Sequence, residues 1–132
     1  MLTKIVKEVA KEFYDNDYDI EIIEKHHNQK IDAPSGTAKL LYDVIHEDIN
    51  ETKEVYDRST VHHKREKKEV GIQSVRAGTI FGEHTVLFAG HDEIIEVKHT
   101  ALSKEVFVQG AISACLKIVD KDNGLFSLKN LY

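Results

Sequence analysis

The spacing of apolar residues changes along this chain, and the order of those changes admits few folds. Leu2, Ile5, Val6, Val9, Ala10 and Phe13 recur every three or four residues, which writes one amphipathic helix over residues 2–13. Residues 18–25 alternate instead, with Ile20 and Ile22 on one face of a strand and Glu21 on the other. Helical spacing returns over 37–47, with Leu40, Leu41, Val44 and Ile45 facing inward. Strands over 70–77, 83–90 and 93–100 follow, punctuated by Gly78, Gly82 and Gly90. Val108, Ala111, Ile112, Cys115, Ile118 and Val119 write a last helix over 104–120, stopped by Asn123-Gly124. Helix, strand, helix, three strands, helix is an α+β domain: a mixed sheet of about four strands with flanking helices. Three helices do not cover both faces of such a sheet evenly, so an open apolar face is expected to pack against another subunit.

Length and charge narrow the function classes. A chain of 132 residues accommodates one domain and can bury a core. Its net charge of -5 has the wrong sign for nucleic acid as the main partner. No apolar run is long enough for a membrane span or a secretory signal, and a cytoplasmic location is the default expectation. The single cysteine, Cys115, has no intrachain partner and falls in the apolar pattern of the last helix, where it reads as a buried structural thiol. The first helix starts almost at Met1 with no capping residue ahead of it, which reads as a chain cut at a domain junction. Residues 48–69 carry charges of both signs, and the expectation there is a solvated loop or strand edge.

Unusual chemistry is concentrated in His26-His27-Asn28-Gln29-Lys30-Ile31-Asp32-Ala33-Pro34-Ser35-Gly36-Thr37, directly after the first strand. Pro34 keeps Ala33 extended, Ser35 or Thr37 is a good N-cap, and Gly36 lets backbone N–H groups approach a ligand. The helix start that follows offers unpaired N–H donors and partial positive charge, which suits a carboxylate or phosphate. Lys30 can add a full charge to the same anion. Adjacent strand residues point to opposite faces, so His26 and His27 are expected to differ in role. One can donate a proton near neutral pH and the other can bind an anion. Asp32 reads as an Asx-type residue that bonds loop N–H groups. Each element alone is commonplace: a capped helix, a surface histidine pair, a solvated lysine. Their concentration in twelve residues points to an anion site with an acid beside it.

Eight histidines raise the question of metal, but His26/His27 and His62/His63 are adjacent pairs rather than the helical i, i+4 pairs of many zinc sites. No cysteine pair assists them, and no metal site is expected. Arg76 closes one strand and Glu83-His84-Thr85 opens the next. These read as turn architecture, with Arg76 bonding carbonyls or Glu83.

The twelve-residue motif closely resembles the signature of the bacterial 4-hydroxy-tetrahydrodipicolinate reductases, also called dihydrodipicolinate reductases. The resemblance continues through Val70-Gly71-Ile72-Gln73-Ser74-Val75-Arg76-Ala77-Gly78 and Gly82-Glu83-His84-Thr85-Val86 to His99-Thr100-Ala101, Gly110-Ala111 and Gly124-Leu125-Phe126. It implies reduction of a cyclic dicarboxylate with NADH or NADPH, on the diaminopimelate route to lysine. His26 would be the proton donor and Lys30 a second catalytic group that also holds a carboxylate. His27 would contact substrate, while Gly36 and Thr37 would grip a carboxylate with Ser35 nearby. The family's dinucleotide-binding domain, with its glycine-rich phosphate loop, has no counterpart in this sequence. Residues 1–132 are therefore expected to be a substrate-binding and tetramerisation domain, inactive as a reductase by itself, with no cofactor-binding residue of its own. A stand-alone assembly or dicarboxylate-binding module, and a metal-binding module, are the competing readings.

Overall fold

The computed structural model describes residues 1–127 and 131. Its elements run α1 (Leu2–Asp15), β1 (Asp19–His26), α2 (Gly36–Asp48), β2 (Lys53–Val55), a 3-10 turn (Arg58–Thr60), β3 (Glu69–Arg76), β4 (Gly82–Ala89), β5 (Ile94–Ala101) and α3 (Glu105–Ile118). The boundaries differ by one or two residues from those the periodicities set. The chain divides into two units, residues 1–100 and 101–132.

The strands form one mixed sheet in the order β2-β3-β1-β4-β5. β1 lies at its centre, parallel to β3 and antiparallel to β4. Its register places Ile20 between Val70 and Phe88, Glu24 between Ser74 and His84, and His26 opposite Arg76. β2, parallel to β3, is the strand the sequence hid. It comes from the charged segment read as a solvated loop or strand edge, and only Val55 of its three residues is buried. A strand so short shows no alternation, and its charges suit a sheet edge. That segment is also tied down. Buried Glu69 accepts from Arg58 at 2.9 Å, and Arg65 reaches the carboxylates of Asp19 and Glu21 and the carbonyls of Ile20 and Glu69.

Alternation along β1 decides which side is dry. Ile20, Ile22, Glu24 and His26 are buried, while the residues between them are half-buried. The buried face meets Val6, Ala10 and Tyr14 of α1 and Leu41, Val44 and Ile45 of α2, with Val70, Ile72, Val86 and Phe88 beside it. Each large side chain fully buried here contributes roughly 1.5–3 kcal/mol. The opposite face carries Glu83 between Lys25 and Lys98, at 2.6 and 2.9 Å, with Val75 and Ile94 exposed.

In the second unit, α3 has no buried residue, and Val106, Phe107, Ile112, Leu116 and Val119 are exposed. Cys115 is exposed too, which corrects the expectation of a buried thiol. Its place in the apolar pattern was read correctly, but among the described residues no residue of the helix is buried, and the thiol shares that exposure. The helix ends at Ile118, short of Asn123-Gly124.

Candidate functional site

β1 runs one residue further than its apolar alternation indicates, and this fixes the histidines. His26 is the last strand residue and sits on the buried face in line with Ile20, Ile22 and Glu24. His27 lies beyond the strand and is half-buried. The β3–β4 turn clasps the loop that follows: Ala77 N–H donates to His26 O at 2.9 Å, and Asn28 N–H to Gly78 O at 3.1 Å. Gly78 takes φ +47°, a conformation that favours glycine. Lys30 N–H closes a turn onto His27 O at 3.2 Å, and the Ala33–Pro34 peptide is cis.

Of the two possible N-caps of α2, Ser35 holds the position. Its Oγ accepts from Ala38 N–H at 3.2 Å, and its carbonyl accepts from Lys39 N–H at 3.1 Å. Gly36 and Thr37 occupy the turn before those donors, where no intrahelical acceptor exists, and both are exposed. The helix start therefore presents backbone donors to solvent beside the end of β1, as an anion site requires.

Glu24 organises this corner and is wholly buried. Its Oε2 lies 2.6 Å from His26 Nδ1, and its Oε1 accepts from Ser35 N–H at 3.1 Å. Arg76 grips both oxygens, Nη1 donating to Oε2 at 2.8 Å and Nη2 to Oε1 at 2.7 Å. Burial pushes this carboxyl upward, but Arg76, Ser74, His26 and Ser35 together bring it down to about 2, so it is ionised. His84 completes the cluster. Its Nε2 lies 2.8 Å from Ser35 Oγ, and its ring stands edge-on to that of His26 with centroids 5.1 Å apart. Burial first, then the neighbouring His26, lowers His84 to about 4, so it is neutral at pH 7.

The other residues singled out from the sequence fall around this corner. Lys30 Nζ is held by Asp32 Oδ1 at 2.7 Å, and that bond keeps the Asp32 carboxyl below its ordinary value. The Asp32 carboxylate thus restrains a lysine first, and its own backbone N–H also stabilises it. Arg76 does bond carbonyls, those of Asp32 at 2.7 Å and Val75 at 2.8 Å. Its carboxylate partner is Glu24 and not Glu83, which Lys25 and Lys98 hold down to about 2. Glu24 was not singled out from the sequence, and His84 was read there as turn architecture. The signal for Glu24 was present, since it shares the strand face of Ile20 and Ile22, where a carboxylate needs a buried partner.

A cavity of about 570 Å³ lies behind the same loop, lined by Ala33, Pro34, Lys39, Tyr56, Ile72, Gln73 and Ser74. The histidines and the Gly36-Thr37 turn do not line it. Among the described residues, no group of three or more histidine, cysteine, aspartate or glutamate side chains is arranged to hold a metal.

The family model described as "Dihydrodipicolinate reductase, C-terminus" matches residues 1–132. A 4-hydroxy-tetrahydrodipicolinate reductase of Exiguobacterium sibiricum is 57% identical over 115 residues, which is 87% of this chain and 46% of that protein. One from Clostridium novyi is 51% identical over 131 residues, 99% of this chain and 52% of the relative. A solved dihydrodipicolinate reductase from Paenisporosarcina sp. TG-14, with dipicolinate bound, superposes with TM-score 0.76 at 26% identity, covering 99% of this chain and 49% of its own. The chain thus spans about half the length of the relatives it matches.

Proposed function

This chain belongs to the dihydrodipicolinate reductase C-terminal family, and from that premise we propose that it is the dicarboxylate-binding and proton-donating half of such a reductase. The observation that carries the reading is the corner made by Glu24, whose carboxylate bonds both the His26 ring and the N-terminus of α2. An acid and an anion-binding helix start are thereby held in one unit.

In this reading, Gly36 and Thr37 bind one carboxylate of a cyclic dicarboxylate through backbone N–H groups. Lys30 swings from Asp32 to a carboxylate, and His27 packs beside the ligand. His26 delivers the proton that reduction requires. The dipicolinate of the solved relative supports a ligand of this chemistry. A nicotinamide cofactor would supply hydride, but this chain does not fit one. β1 leads to α2 through a loop with Gly36 alone, where a dinucleotide needs several glycines between strand and helix. The nucleotide is therefore assigned to a separate domain, and residues 1–132 alone are expected to lack reductase activity. The exposed apolar residues of α3 and β5 support a further role in assembly, as a homotetramer of reductase subunits.

Calorimetry with pyridine-2,6-dicarboxylate tests the reading. Lys30→Ala removes a charge-assisted contact and is expected to weaken binding by about 1.5–3 kcal/mol. Unchanged affinity would remove Lys30 from the site, and no binding by the unaltered chain would remove the proposal. The reductase assignment is tested by joining the chain to a dinucleotide-binding domain of a relative and following NAD(P)H oxidation.

A further inference from the structure

We propose that Glu24 is the positioning residue of the proton donor: it fixes His26 as the Nδ1–H tautomer, so that the proton leaves from Nε2. This rests on the reading of His26 as the acid.

One feature of the fold bears on the tautomer and a second on the Nε2 edge of the ring. The first is the state of Glu24. Arg76 binds both of its oxygens, at 2.7 and 2.8 Å, and the carboxyl titrates at about 2. At neutral pH an ionised carboxylate can only accept hydrogen bonds. The 2.6 Å contact with His26 therefore requires the proton on Nδ1, which leaves Nε2 as the only ring nitrogen able to exchange a proton with a ligand. The second feature is Gly82. A Cβ at this position would stand 3.2 Å from His26 Nε2 and 3.5 Å from Cδ2. β4 thus begins with the one residue type that adds no side chain against that edge of the ring.

The chemistry is a single proton transfer. The Nε2–H bond of the imidazolium breaks, the proton joins the basic centre created on the dicarboxylate by reduction, and neutral imidazole remains with its proton on Nδ1. The ring undergoes no redox change. Glu24 holds the ring through Nδ1 throughout, and Arg76 holds Glu24. Glu24 on the same strand and Arg76 on β3 form the ion pair beside His26, His84 on β4 stands against its ring, and Lys30 in the loop and His99 on β5 act on that second ring. His84 is neutral at pH 7 and adds no charge to the cluster.

A purely structural Glu24 would bury an ion pair and cap α2, but it would leave the ring's tautomer indifferent. Two-bond proton–nitrogen correlation spectra of the uniformly 15N-labelled chain separate the two roles, with His26 assigned by its loss in His26→Gln. Above the titration of the ring, the expected spectrum has a protonated Nδ1 and a bare Nε2. In Glu24→Gln both nitrogens should move toward averaged shifts. A wild-type ring protonated on Nε2, or averaged between tautomers, overturns the proposal. So does a Glu24→Gln spectrum that keeps the Nδ1–H pattern. If Glu24→Gln fails to fold, Glu24→Gln/Arg76→Met removes the orphaned guanidinium and takes its place, while the wild-type spectrum remains decisive alone.

Turnover separates this idea from the functional reading beneath it. In the chain joined to a dinucleotide-binding domain, Glu24→Gln should lower kcat on the order of a hundredfold while KM for the dicarboxylate stays within a few fold. If His26→Gln leaves kcat intact, the reading of His26 as the acid fails. If His26→Gln abolishes turnover and Glu24→Gln does not lower it, only the positioning role fails.

Discussion

Replacing Arg76 with methionine tests the corner energetically. Methionine keeps an apolar stem along the path of the arginine but removes the guanidinium. Glu24, with no exposed surface, would keep His26 and Ser35 N–H and lose both arginine bonds. Removing one partner of a buried pair typically costs about 3–5 kcal/mol. The carboxyl's displacement from 4.5 to about 2 is worth about 3 kcal/mol, the net of burial against all its partners. The Arg76 side chain retains 19% of its exposure, which favours the lower end of the range. We therefore expect about 3 kcal/mol, a large share of the roughly 5–15 kcal/mol that stabilises a domain.

Urea denaturation followed by circular dichroism, at one fixed protein concentration, measures that loss at pH 7 as a lower midpoint with unchanged slope. The pH dependence identifies its source. Glu24 has a folded value below its unfolded one, so its stabilisation is complete above about 4.5 and disappears as pH falls through about 2. Without Arg76 the folded value rises and the gap narrows. The difference between wild type and Arg76→Met should therefore be largest at pH 7 and shrink between about pH 5 and 2. Glu83, also held down to about 2 by Lys25 and Lys98, titrates in both proteins and cancels in the comparison. Glu24→Gln/Arg76→Met should be more stable than Arg76→Met alone, because a buried amide tolerates the loss of the cation better than a buried carboxylate. A cost below about 1 kcal/mol, or a difference that is constant from pH 7 to pH 3, would refute the reasoning.

Ser35→Ala removes both the cap of α2 and the partner of buried His84, and should destabilise by about 2 kcal/mol while weakening pyridine-2,6-dicarboxylate binding. Thermal melts and calorimetry on one preparation check both effects. Gly82→Ala puts a methyl group 3.2 Å from His26 Nε2. It should change stability by no more than about 1 kcal/mol, leave the His26 tautomer as it is, and lower turnover of the two-domain enzyme. Analytical ultracentrifugation should find the chain in a species larger than one protomer, and sedimentation as a monomer at high concentration would remove the assembly role.

Apolar periodicity located seven of the eight main elements to within one or two residues, and five of them, α1, α2, β1, β3 and β4, bury residues in one core, to which β5 adds only the half-buried Val97. For α3, periodicity misjudged the environment: Cys115 is exposed, and among the described residues no residue of the helix is buried. β2 was invisible because three residues at a charged edge have no period to read. The candidate site divides along similar lines. The N-cap at Ser35 follows from local rules that operate over four residues, so the sequence narrowed it to two candidates. The Glu24–Arg76 pair does not, since its members are 52 residues apart and meet only through the parallel register of β1 and β3. That register also explains why the local reading assigned Arg76 to its own turn and Glu83. A carboxylate on an apolar strand face predicts that a partner exists, and a strand-end arginine predicts that a charge is available. Only the pairing of the strands brings them together. The polar corner is therefore as much a product of sheet topology as the apolar core, and its acid is positioned by the same register that packs Ile20 against Val70 and Phe88.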